Sequence, residues 1–203
     1  SRREGPSIWW VRLLYVAVYS SYGATSVYRT LYYRRVGLSG TQIGALIAIQ
    51  PLVMLASGPI WSLAADRLGL RTRLLTVVTA LSILPMVATG CAVRFSSLLA
   101  LVIVHALFQG PIQPLMDSTA LAALGPDRHR YATVRAFGSL GYAPIAWITG
   151  LFIQGHDIRW IFVGYAILMG TGSLLTLRLR TAQQALPTGI GAGLGSEVLY
   201  CTR

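Results

Sequence analysis

Two side chains stand out because of where they lie. Asp117 and Arg135 each occupy a long apolar stretch, nine positions on either side of residue 126, and a short polar hairpin, GPDRHRY, lies between them. If the two stretches are antiparallel helices rising ~1.5 Å per residue, both charges come to the same depth. A charge inside a bilayer costs about 2.5–3.5 kcal/mol or more, so such groups pair, face a cavity and mark a pathway. Asp117 can accept hydrogen bonds from hydroxyl groups, and Arg135 offers a planar fork of donors to hydroxyls or a carboxylate. Two readings stand at this point: a solute-binding pair, or a structural ion pair that fixes the two helices.

More polar residues follow at helical spacing. His105, Gln109, Gln113 and Asp117 recur every fourth residue and form one stripe. Facing lipid it would be costly, so it faces a cavity or makes hydrogen bonds between helices. His105 is read as structural. After the hairpin, Arg135, Ser139, Tyr142 and Ala146 share a face, with Gly138 and Gly141 allowing close approach. Near the start, Tyr15, Tyr19, Tyr22, Ser26 and Arg29 form another single face, which suits either a cavity wall or ordinary packing. Arg29 could equally reach back to the membrane interface.

The elements that must carry these residues are membrane helices. Of the 203 residues 54% are hydrophobic and only 11% charged, and mean hydropathy is +0.60. A soluble domain carries about a quarter charged residues, so the expected class is an all-α, polytopic membrane protein. Six spanning helices are expected over 8–33, 41–64, 74–92, 97–123, 132–153 and 159–177, with the prolines at 51, 85, 111, 114 and 144 as kinks. Residues 1–7 then form a cytoplasmic N-terminus, 8–180 the membrane domain and 181–203 a Gly-rich linker or tail. No cleavable leader is expected.

The net charge of +11 comes entirely from Arg among the basic residues. Arg2, Arg3, Arg67, Arg71, Arg73, Arg128, Arg130, Arg178 and Arg180 fall on one side of this topology, and Arg34, Arg35, Arg94 and Arg159 on the other. The richer side is cytoplasmic, which puts both termini there, in a cell-membrane protein. The clusters sit in short loops, so no nucleic-acid partner is expected. Cys91 and Cys201 have no metal or redox spacing, and Cys91 reads as a small apolar helix residue. Without a metal-ligand cluster or nucleophile motif, neither enzyme activity nor a cofactor is expected. Trp9, Trp10 and Trp160 read as interfacial anchors.

The loop SLAADRLGLRTR resembles the signature between helices 2 and 3 of the major facilitator superfamily, G-x-x-x-D-R-x-G-R-[KR]. Asp66, Arg67, Gly69 and Arg71 match it, while Ser62 and Leu70 depart from it. The physics suits a gate: Asp66 can cap a helix, Gly69 permits a tight turn and the arginines anchor at headgroups. The segment YATVRAFGSLGYA resembles the fifth-helix start of the lactose permease and its phenylpropionate permease-like and nucleoside symporter relatives. That resemblance implies the N-terminal six-helix half of such a bundle, carrying a secondary, proton-coupled symporter. It implies that Asp117 and Arg135 hold the solute and that Tyr142 stacks on its ring, with Gln113, Gln109 and Tyr22 completing the wall. Asp and Tyr replace the Glu and Trp of the lactose permease, which widens the solute class to sugar, nucleoside or aromatic acid. Asp117, beside Arg135, is a substrate ligand rather than a proton carrier. The expected partners are the solute, protons, the bilayer, and a second six-helix half or second copy. The alternative is a non-transporting fragment or subunit that needs a partner half.

Overall fold

A computed structural model describes residues 6–68 and 70–184, and the described chain is helical throughout apart from short turns. Its elements are α1 (Pro6–Thr25), α2 (Arg29–Arg35), α3 (Gly40–Leu68), α4 (Arg71–Thr89), α5 (Phe95–Gln109), α6 (Ile112–Leu124), a 3-10 segment (Gly125–Arg130), α7 (Tyr131–Gly155) and α8 (Trp160–Gln184). Four stretches are long and apolar enough to cross a membrane: Gly40–Ala65, Arg71–Thr89, Phe95–Gly155 and Trp160–Leu179. The third doubles back on itself, since it holds both Asp117 and Arg135, which lie in contact. The expected count of six crossings thus corresponds to four such stretches, and α1 is not among them.

The first and fourth expected helices are each broken. Between α1 and α2, residues 26–28 form a turn. No proline is present there. Instead the Ser21 hydroxyl donates to the Val18 carbonyl (2.6 Å) and the Thr25 hydroxyl to the Ser21 carbonyl (3.1 Å), and such back-bonding competes with the helical ladder and bends it. Between α5 and α6 the cause is Gly110 with Pro111 and Pro114, which lack the N–H groups a continuous helix would use. Pro51, Pro59, Pro85 and Pro144 stay inside their helices.

α1 is the central element. It packs chiefly on α7 and α8, α4 packs on α8 and α5, and α3 packs on α5. The hairpin partners α6 and α7 touch each other little; α1 contacts both. The α1–α7 approach needs Gly141: a Cβ there would lie 2.5 Å from the Val16 carbonyl oxygen. The Ser20 hydroxyl donates across the same crossing to the Gly141 carbonyl at 3.1 Å. Leu14, Tyr15 and Val18 of α1 join Ile161, Phe162, Tyr165 and Met169 of α8 in the buried core. Tyr32 packs edge-on to Phe162, and its hydroxyl lies 2.9 Å from both the Thr89 and Ala92 carbonyls, which supplies a donor to the open end of α4.

One expectation is corrected by position. Cys91 sits exposed in the turn after α4 rather than inside a helix, because Gly90 ends that helix. Trp9 and Trp160 are about half exposed (52% and 51%), as anchors would be.

Candidate functional site

The polar cluster around Asp117 is assembled by α1, α6 and α7. The Asp117 carboxylate accepts a hydrogen bond from the Tyr15 hydroxyl at 2.5 Å. Its other oxygen lies 3.9 Å from Nη1 of Arg135. The same guanidinium nitrogen donates to the Tyr131 hydroxyl at 3.3 Å, and Tyr131 also meets the carboxylate. Tyr15 is fully buried, whereas the side chains of Asp117 and Arg135 are 24% and 48% exposed. So the depths of the two charges do match, but the pair is long and half open. An ion pair of that kind contributes about 0–1 kcal/mol, too little to fix two helices that barely meet. Its donors and acceptors stay within reach of a ligand.

Asp117 also forms one wall of a groove of about 450 Å³ between α3 and α6, with Pro51, Met54, Gly110, Gln113 and Pro114. The break at Gly110 and Pro111 opens this groove by separating α6 from the line of α5. Gln113 therefore stands beside Asp117, as expected.

Gln109 and Tyr22 belong to a second cluster. Gln50 donates through Nε2 to the Gln109 Oε1 at 2.8 Å, and the Tyr22 side chain meets Gln109. Two interruptions, the α1–α2 turn and the α5–α6 break, lie beside this contact, and Pro51 follows Gln50 within the continuous α3. A row of rings connects the clusters, since Tyr15 stacks on Tyr19 (centroids 6.0 Å apart) and Tyr19 meets Tyr22 edge-on at 5.8 Å. Tyr142 lies on the same side of α1 farther along, its hydroxyl 2.8 Å from the Ser26 hydroxyl.

The expected stripe on the fourth helix is therefore divided by the break. Asp117 and Gln113 face the groove and Gln109 faces Gln50. His105 is buried, its Nε2 3.1 Å from the Tyr165 hydroxyl, which lies 3.1 Å from Ser82. This is the structural position expected for His105. In the loop motif, α3 continues past Asp66 to Leu68 and α4 begins at Arg71, with Arg67 and Arg71 exposed. The N-cap of α4 is Leu70, which has no side-chain acceptor. Gly69 and the Asp66 side chain lie outside the described residues. Residues 1–5 and 185–203, with most of the expected terminal segments and Cys201, do so as well, while residues 6–7 and 181–184 of those segments belong to α1 and α8. Among the described residues no group of His, Cys, Asp and Glu is arranged to hold a metal ion.

Sequence reasoning did not assign Tyr15 and Tyr131 to the pair. Tyr131 was legible as the residue four before Arg135 on one helical face. Tyr15 stood in the aromatic stripe, but nothing in its spacing pointed to α6.

The model of the MFS_1 like family matches residues 8–190. The chain belongs to that family. With its apolar helices, this makes it a multi-pass membrane protein. It is 28% identical over 168 residues to a maltose permease of Geobacillus stearothermophilus, covering 82% of the chain and 43% of the permease. It is 27% identical over 157 residues to the uncharacterized transporter YwbF of Bacillus subtilis, covering 77% and 39%. A lactose permease of Klebsiella oxytoca is 31% identical over 144 residues, covering 66% and 34%. The chain thus spans less than half the length of these relatives.

Proposed function

We propose that the chain forms the N-terminal six-helix half of a secondary transporter that works by alternating access. The six rods are α1 with α2, α3, α4, α5 with α6, α7, and α8. The observation that carries this reading is the Asp117 carboxylate, held by Tyr15 and Arg135 at the edge of a groove it shares with Gln113. The half-exposed Arg135 fork and the carboxylate provide donors and acceptors for a hydroxyl-bearing solute, and the tyrosines provide ring faces. A small polar or ring-containing solute fits this arrangement. The sugar permeases among the relatives support the sugar class first, with nucleosides and aromatic acids as the other candidates. Proton coupling is part of the proposal, with the coupling group in the second half of the bundle. Arg67 and Arg71, with Asp66 and Gly69, form the cytoplasmic gate.

The test is uptake by cells expressing the full two-half protein, using labelled maltose, a nucleoside and an aromatic acid. Accumulation that collapses with a protonophore, and disappears in Arg135→Ala, supports the proposal. Accumulation unchanged in both Arg135→Ala and Asp117→Asn removes the site assignment.

A further inference from the structure

A second cation lies apart from the Asp117 pair. Arg29 is half-buried at the α1–α2 break, where it lines a small pocket of about 110 Å³ with Ser26, Thr30, Tyr33 and Gln50 over an apolar floor at Leu46. No acidic side chain among the described residues is paired with it; Asp117, in the polar row, is engaged by Tyr15 and Arg135.

The charge of the pocket is one-sided, and it is well supplied with donors. Gln50 donates one amide hydrogen to Gln109, which leaves its second N–H uncommitted. Ser26 adds a hydroxyl at the pocket wall, shared with Tyr142 in one hydrogen bond. Thr30, Tyr33 and the Arg29 guanidinium add further donors. A partly enclosed space with several donors, one full positive charge and no acid is built for an oxyanion, and a guanidinium fork matches a carboxylate well.

We propose that this pocket is an anion subsite, and that Arg29 anchors the carboxylate of an acidic solute. The solute's hydroxyls or ring then lie along the tyrosine row toward Asp117 and Arg135. The proposal rests on the transport reading for the identity of its occupant as a solute, and among the candidate solutes it favours acids over the neutral sugars that the relatives put first. The arrangement also gives the α1–α2 break a purpose: a continuous helix would run on through residues 26–28, where the pocket now opens.

The test is cysteine labelling of the full protein in maltoside micelles, with Ser26→Cys the only cysteine. Rates are compared for a sulfonate-bearing and a trimethylammonium-bearing methanethiosulfonate reagent. The expected result is about a tenfold preference for the anionic reagent, lost in Arg29→Gln and kept in Arg29→Lys. Phenylacetate should slow labelling, and phenylacetamide should not. Equal rates, a preference that survives Arg29→Gln, or no reaction with either reagent would overturn the proposal. Slowing by added phosphatidylglycerol but not by phenylacetate would overturn the solute assignment in favour of a lipid phosphate. Because labelling needs no turnover, a protein that fails to accumulate any solute yet keeps the preference would refute the transport reading alone.

Discussion

Removing the Tyr15 hydroxyl tests whether α1 positions the candidate carboxylate. The ring of Tyr15 is fully buried, so Tyr15→Phe keeps its packing and removes the hydroxyl that donates to Asp117 and also meets Tyr131. A hydrogen bond to a charged group contributes about 1.5–3 kcal/mol. Asp117 is 24% exposed and can recruit water as a substitute, which places the expected loss near the lower end, ~1.5 kcal/mol. The assay is a double-mutant cycle of Tyr15→Phe with Asp117→Asn, read as unfolding free energy of the full protein in mixed micelles. The coupling should be about 1 kcal/mol, within the 0.5–3 kcal/mol range of residues in direct contact. Additivity within about 0.3 kcal/mol would refute the reasoning, because groups that do not interact behave that way.

Other parts of the bundle give simpler expectations. Gly141→Ala should destabilise by about 1–3 kcal/mol, since its Cβ meets the Val16 carbonyl at 2.5 Å, whereas Gly170→Ala, which meets nothing within 4 Å, should be neutral or stabilising in the same titration. Tyr32→Phe should cost ~1 kcal/mol by withdrawing the donor at the Thr89 and Ala92 carbonyls, and hydrogen exchange at the end of α4 should rise with it. His105→Ala should lower stability by about 2–4 kcal/mol through a buried cavity and a lost contact to Tyr165, while the folded fraction keeps its solute affinity.

The all-helical membrane class was legible because bilayer helices announce themselves through apolar length. The equal depth of Asp117 and Arg135 followed from symmetry about residue 126. Their neighbours did not follow, because α6 and α7 were expected to face each other and α1 contacts both instead. The division of the polar stripe depended on Gly110 and the prolines around it; a proline marks a kink in sequence, but its direction is set by tertiary packing. The α1–α2 break carried no proline at all, and back-bonding by Ser21 and Thr25 is invisible to periodicity. Arg12, inside the first apolar stretch, falls on neither side of the expected topology. It is buried on α1 with its guanidinium about 5 Å from the Trp9 and Phe137 rings, an arrangement in which aromatic faces stabilise the cation.

The central claim is that Asp117 and Arg135 bind the solute. Its most direct measurement is equilibrium binding of the transported solute to the purified full protein, comparing wild type with Asp117→Asn, Arg135→Ala and His105→Ala. Losing a charge-assisted contact of about 2–3 kcal/mol should weaken binding about 30- to 150-fold in the first two variants. His105→Ala should bind as the wild type does. Wild-type affinity in both Asp117→Asn and Arg135→Ala would contradict the account.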